Sequence, residues 1–557
     1  MSGSGGKLAQ KILPAVIVAP VLTVLFFWTI LLRRPWGGHD WMKFYHYYDW
    51  VRVSLTEHHT LPLYMPNALH TTDFLANPVS PLLGPLVWLL FLIPTGAYIK
   101  LLIAFYATAG LLGMFALLRD QGVNPETALF GSVVFAFNGF FLSHFAMGHY
   151  CFFALYLLPT LLFLFRRALL GSRGALWLAA VVNVLVIFDG SHHPFLWHNA
   201  LLAIFALLTC FGARSLAPLR RWSLFLVASC GLGAVKLLPM IAAFGAYDPE
   251  QRIPGLPPAA ALWSLVTRGQ TLTTERPDVL FQFGSGWWEY DFYIGGLALV
   301  AILVGLVAAR QAWPLMLTGC FFLAISLDVS AWWSGADVWG LLKELPAWKS
   351  QRAPSRFMVV ALFAFLVVAS LGLQRLVDRA RSRPTAHRLL RGLMLVLALL
   401  VGLDLHWQSR VWQNVGPGVF PPHRDHVPVV RMLRAREGDT ARVTQFTPHR
   451  FVVTAKSIRG GSLLLPREPI SGRDQWRVSG GRITSVRERL AVTVPPGESI
   501  ITFTYVARYF RLGLTITAIT LVAAAISLSR GRLRARTEAG GPREGFVRSR
   551  WKATRHE

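Results

Sequence analysis

The residues best suited to chemistry crowd into one stretch, His39–Pro81 (HDWMKFYHYYDWVRVSLTEHHTLPLYMPNALHTTDFLANPVSP). It sets Asp40, Asp49, Glu57 and Asp73 among five histidines and many aromatic residues, just after the first long apolar run. The stretch is too polar and too rich in proline to cross a bilayer. Carboxylates beside aromatic rings at a membrane surface suit group transfer to a hydroxyl. One carboxylate takes the proton, and rings such as Trp41 and Tyr45 stack on a sugar. Asp40 is the candidate base, because the mouth of an apolar run partly buries a carboxyl and tunes its pKa; an interfacial aspartate ending a helix is the plainer alternative. His39 is a hydrogen-bond partner for it or an interfacial histidine. Asp49, Asp73 and Glu289 compete to be a second carboxylate that orients the acceptor. An aromatic belt at the membrane interface also accounts for the rings.

A leaving phosphate needs cations. Arg352 and Arg356, in QRAPSR, are four residues apart and share one face if a helix has begun. An arginine fork at a helix start suits a phosphate, while snorkelling to lipid headgroups is the alternative. Lys236, in KLLP, is an intramembrane lysine and hence functional or paired. His192 and His193, with His198 and Asp189 close in sequence, form an acceptor-binding cluster, a site for a divalent cation (the one cofactor the sequence raises) or, more plainly, hydrogen-bonded interfacial histidines. His144 and His149 flank the same region. No Walker loop, GxSxG, HExxH or dinucleotide fingerprint occurs in usable context.

These residues need a membrane scaffold. The 557 residues are 54% hydrophobic and 15% charged, with mean hydropathy +0.46. Spans are expected near 12–32, 98–117, 126–147, 150–166, 174–190, 194–211, 222–244, 292–309, 312–330, 355–374, 389–406 and 506–529. The segment 82–94 is apolar but short and bounded by prolines, so it is expected to lie at the membrane without crossing. With the N-terminus inside, the Arg-rich connections and the tail from Arg530 then fall on the cytoplasmic side, as the positive-inside rule requires. That rule also accounts for the net charge of +27, which removes the reason to expect a nucleic-acid partner. The first loop, 33–97, and a β-rich unit of sandwich type at 407–505 face outward. The expected division is 1–406 transmembrane, 407–505 β-rich, 506–529 a last span and 530–557 a basic cytoplasmic tail. The four cysteines lie in apolar runs, so no disulfide framework is expected.

Several phrases match a known family in order: LPLYMPNALHTTDFLANPVSP, FNGFFLSHFAMGHY, DGSHHP, KLLPM, EYDFYIGGLALV, QRAPSRFMVVALFAFLVVASLGLQRL and LAVTVPPGESIITFTYVARYFRLGLTIT. The chain resembles the YfhO-like bacterial membrane proteins of the C-type (GT-C) glycosyltransferase superfamily. It departs from them where LHTTDF replaces a Gly-Gly-rich turn and where RDQWRV lacks an aromatic-Pro-Gly. The resemblance implies a GT-C-like bundle in a bacterial cytoplasmic membrane. It further implies sugar transfer from a polyprenyl-phosphate donor to an extracytoplasmic polymer, glycolipid or protein of the envelope. A transporter or flippase for lipid-linked glycans, and a non-catalytic envelope scaffold, are the competing readings.

Overall fold

The computed structural model describes residues 2–32, 40–66, 73–244, 253, 255–268, 287–309, 312–328, 337–345, 348–413, 428, 430–433, 435–469, 474–486 and 489–539. The chain is a polytopic α-helical membrane protein with a small β-rich unit near its C-terminus. Its helices are α1 (Ser2–Leu32), α2 (Trp41–Thr56), α3 (Thr95–Asp120), α4 (Pro125–Phe137), α5 (Gly139–Ala146), α6 (Leu158–Leu169), α7 (Arg173–Phe188), α8 (His192–Ala213) and α9 (Ala217–Leu232). They continue as α10 (Ala234–Phe244), α11 (Pro258–Val266), α12 (Gly296–Ala308), α13 (Trp313–Ser326), α14 (Val338–Lys343), α15 (Met358–Arg379), α16 (Pro384–Gln413) and α17 (Phe510–Ala539).

Each expected span overlaps helix, although 292–295 and 506–509 are not helical and 329–330 lie outside the described residues. Among the described residues, seven helices are long and apolar enough to cross a membrane, or eight if the bent pair α9–α10 is one span. Four more, Leu13–Trp28, Arg173–Phe188, Gly296–Ala308 and Trp313–Ser326, are apolar but shorter. Segment 82–94 holds only a five-residue 3-10 turn, Val87–Phe91, far short of a bilayer.

The α9–α10 pair bends by 83° beside Gly233. The bend breaks the backbone ladder, and α17 repairs it from the side. Thr517 Oγ1 donates to the carbonyls of Gly231 (3.3 Å) and Leu232 (3.2 Å) and accepts from the Val235 N–H (3.2 Å). Thr517→Val keeps the shape and orphans these groups, so we expect a loss of about 1–3 kcal/mol, read as a lowered melting midpoint in detergent. An unchanged midpoint would show that packing alone holds the break.

The β-rich unit has eight strands: β1 (Arg431–Leu433), β2 (Thr440–Thr447), β3 (Arg450–Ser457), β4 (Gly461–Pro469), β5 (Trp476–Ser479), β6 (Ile483–Val486), β7 (Arg489–Val494) and β8 (Gly497–Tyr505). They form two four-stranded antiparallel sheets, ordered β1-β4-β7-β6 and β2-β3-β8-β5.

This unit grips the loop that follows α2. Phe446 on β2 stacks on Trp50 at 5.8 Å, and Trp50 Nε1 donates to the Tyr64 carbonyl at 2.9 Å. Tyr64 in turn meets Trp476 and Tyr505. Gln475 Nε2 donates to Asp73 Oδ2 at 2.7 Å, while the Ala76 N–H donates to Asp73 Oδ1 at 2.9 Å. Asp73 is thus a buried bolt between loop and sheet. Burial raises its pKa, and the donors around it pull the other way. Gln475→Ala removes one of these donors from a buried carboxyl and is expected to cost about 1–3 kcal/mol, measured by thermal unfolding.

Candidate active site

Two glycines let the site assemble. In FNGF, Asn138 ends α4 and caps α5: its side-chain oxygen accepts from the Phe140 N–H at 3.0 Å, and its Nδ2 donates to the Phe135 carbonyl at 2.7 Å. The Gly139 N–H donates to the Tyr293 carbonyl at 2.8 Å. A Cβ on Gly139 would overlap Asp291, so only glycine lets the segment carrying Glu289 lie this close. Gly148 has φ +80°, and a Cβ there would overlap the Trp41 backbone. The Asp40 N–H donates to the Met147 carbonyl at 3.2 Å, which fixes the start of α2 beside His149. Gly148→Ala combines left-handed strain of about 1–3 kcal/mol with that overlap, so a clearly lower melting midpoint is the expected result.

A chain of polar groups runs inward from Asp40. Its carboxyl, 38% exposed, has Oδ2 at 3.6 Å from His149 Nε2. That is ion-pair range rather than a formed hydrogen bond. His149 Nδ1 and His144 Nδ1 are 2.8 Å apart. If both rings are neutral, one arrangement serves both contacts: His144 donates from Nδ1 to His149 Nδ1, and His149 presents Nε2–H to Asp40. His144 Nε2 is then a buried lone pair with no partner. Further in, the fully buried Glu289 accepts from Arg356 Nε at 2.7 Å and Nη2 at 2.5 Å. Burial of the Glu289 carboxyl pushes its pKa up, but the charge and hydrogen bonds of Arg356 outweigh this and hold it at about 2. The guanidinium lies 5.0 Å from the Phe152 ring centre, and Phe152 stacks on His193 at 5.7 Å.

The structure joins some of the expected residues and separates others. Asp40, Glu289 and Arg356 belong to one network, but Glu289 and Arg356 neutralise each other. Glu289 is therefore a fixed anion, where the sequence offered a second catalytic carboxylate, and the Arg356 fork is aimed at Glu289 rather than at a phosphate. A carboxylate buried this deeply requires such a partner. Arg352 lies in the extended segment before the 3-10 turn Pro354–Phe357, so the two arginines do not share a helical face. Both bear electrostatically on His193.

Asp49 sits about 13 Å along α2 from Asp40 at 1.5 Å per residue. It accepts from Thr95 Oγ1 at 3.1 Å and lies 3.7 Å from Arg52 Nε, anchoring α2 to the start of α3. Asp73 is the bolt described above, away from a sugar site. Trp41 is buried against Phe145 and Phe153 and offers no open face, while Tyr45 is half-buried beside His46. The rings of His192 and His193 lie 3.8 Å apart, tilted by 38°, at the start of α8. Lys236 Nζ donates to the Ser80 carbonyl, pinning the proline-rich end of the first loop. His39 lies outside the described residues. Among the described residues, no three His, Cys, Asp or Glu side chains come together as a metal site.

One participant went unremarked in the sequence, and another was noted only as a neighbour of the histidine pair. Lys43, three residues past Asp40, bears together with Lys236 and Arg356 on His192, and together with Asp40 and Arg356 on Cys151. Asp189, at the end of α7, is fully buried. Tyr106 and Lys236 are its polar neighbours. Its place next to the histidine pair in DGSHHP was the only signal.

No family model matches the chain. No curated protein matches it significantly either.

Proposed function

We propose that this protein is a glycosyltransferase that moves a sugar from a polyprenyl-phosphate donor to a hydroxyl of an extracytoplasmic envelope acceptor. In this reading the bundle has twelve spans, GT-C-like in arrangement, with both termini in the cytoplasm of a bacterium and Asp40 on the outer side. The observation that carries the proposal is Asp40 itself. It is a partly open carboxylate at the head of a histidine relay, with Lys43 three residues on and the Glu289–Arg356 pair further in.

Asp40 takes the proton of the acceptor hydroxyl as its oxygen bonds to the anomeric carbon. The bond from that carbon to the phosphate oxygen breaks, and polyprenyl phosphate leaves with the electron pair. His149, through Nε2–H, holds Asp40 oriented and ionised before the step. Lys43 and Arg352 meet the growing phosphate charge, while Arg356 fixes Glu289 and the floor of the site. No step is routed through a divalent cation.

The bent pair α9–α10 with Lys236 favours a second reading, since broken helices beside an intramembrane charge also build transporters. Purified protein with a radiolabelled polyprenyl-phosphate sugar and envelope glycans separates the two. Labelled acceptor supports transfer. Lipid crossing between leaflets without labelled acceptor would overturn it.

A further inference from the structure

Helices α7, α9, α10 and α17 line a groove of about 690 Å³. That is within the range of about 300–1,000 Å³ seen for sites that take small organic ligands. The only charged residues lining the groove are two arginines. Arg173, at the first residue of α7, and Arg221, in the first turns of α9, stand at its mouth with Ser527 of α17. From there it runs along Ala228, Gly231, Ala234 and Ile516 to the α9–α10 break. Small residues on α9 and α17 hollow it out.

Three observations define the occupant. No carboxylate lines the groove, and neither arginine pairs with a carboxylate among the described residues, so the mouth presents two cationic forks suited to a phosphate. From Arg221 to Gly231 the helix rises about 15 Å, half of a hydrocarbon core of about 30 Å, which is the depth of one leaflet. And only 6% of the apolar window of α17 is buried in the protein, so the wall it forms stands in lipid.

We propose that this groove is a specific site for an anionic glycerophospholipid of one leaflet, its phosphate between Arg173 and Arg221 and one acyl chain lying along α17 to the break. The site is independent of the transfer reaction. By wedging between α17 and α9 the lipid stabilises the contact that Thr517 makes with the broken ladder.

The test uses the full-length protein in detergent, with phosphatidylglycerol or phosphatidylcholine added in equal amounts. Melting midpoint and native mass spectrometry of retained lipid are the readouts. Phosphatidylglycerol is expected to be retained and to raise the midpoint, phosphatidylcholine far less. R173A/R221A should weaken phosphatidylglycerol retention by about tenfold or more per arginine, while R173K/R221K keeps most of it. Ala523→Trp, which fills the groove and leaves the arginines intact, should block retention as well. The midpoint without added lipid identifies any variant that fails to fold, and the lysine pair and Ala523→Trp then decide. Equal effects of the two lipids, or unchanged phosphatidylglycerol retention in R173A/R221A and in Ala523→Trp, would overturn the proposal.

Discussion

Asp40→Asn is expected to lower sugar transfer by about 10²–10⁴-fold, the usual contribution of a positioned general base, while the protein still folds. The separation of the two effects follows from the geometry. Asp40 is the N-cap residue of α2, yet its side chain makes no capping hydrogen bond, and its carboxyl is 38% exposed. The helix start does not depend on its charge. The amide keeps the volume and loses the ability to accept a proton. His149→Ala should give a smaller loss, because a carboxylate without its orienting ring still acts as a base. His149→Gln, which can donate from its amide, should recover part of it. Single-turnover transfer, with melting midpoints for each variant, checks both. Transfer by Asp40→Asn at the wild-type rate would remove the base from the mechanism.

Arg356→Ala is expected to have the largest effect on stability. It leaves the fully buried Glu289 ionised without a partner, and breaking such a pair costs about 3–5 kcal/mol. Transfer activity falls with the fold in this variant, so the informative comparison is the double substitution Glu289→Gln with Arg356→Met. Replacing both charges by groups of similar volume is often neutral, so the double variant should melt well above Arg356→Ala. A double variant no better than the single one would place the role of Arg356 elsewhere. The same pair sets an acid limit. The Glu289 pKa is held at about 2, against an ordinary value of 4.5. A depressed carboxyl contributes its full stabilisation above pH 4.5 and loses it as pH falls from there toward 2. In Glu289→Gln with Arg356→Met, the melting midpoint should vary less over that window than in wild type.

The helices were legible because long apolar runs carry their own signal. Their interruptions were not. The 83° bend of α9–α10 lies inside a continuous apolar stretch and depends on Thr517, far away in sequence. The helices over 174–190, 292–309 and 312–330 are apolar, but at 13–16 residues they fall short of the roughly 20 that span a bilayer. Strands β3, β4, β7 and β8 were visible as RFVVTAK, SLLLP, LAVTVP and SIITFTYV because each carries buried apolar residues. By contrast β2 is exposed along most of its length, and β5 and β6 have four residues each, too few to show a pattern.

At the site, Asp40, Glu289 and Arg356 were legible as charged residues in unlikely places. That Glu289 closes on Arg356 was not, because 67 residues separate the two and only the folded bundle brings them together. The aromatic residues were the least informative. Trp41 and Trp50 are spent on packing, which a sequence cannot tell from stacking on a sugar.

The bolt from Gln475 to Asp73 joins residues 402 positions apart, and this sets a timetable for biosynthesis. At about 5–20 residues per second, the ribosome needs roughly 20–80 s after making Asp73 before it reaches Gln475. Throughout that interval the first loop stands without the sheet that will clasp it. A prematurely terminated chain, even one with nearly all of its helices, never receives that clasp, so maturation of the loop awaits the last fifth of the polypeptide.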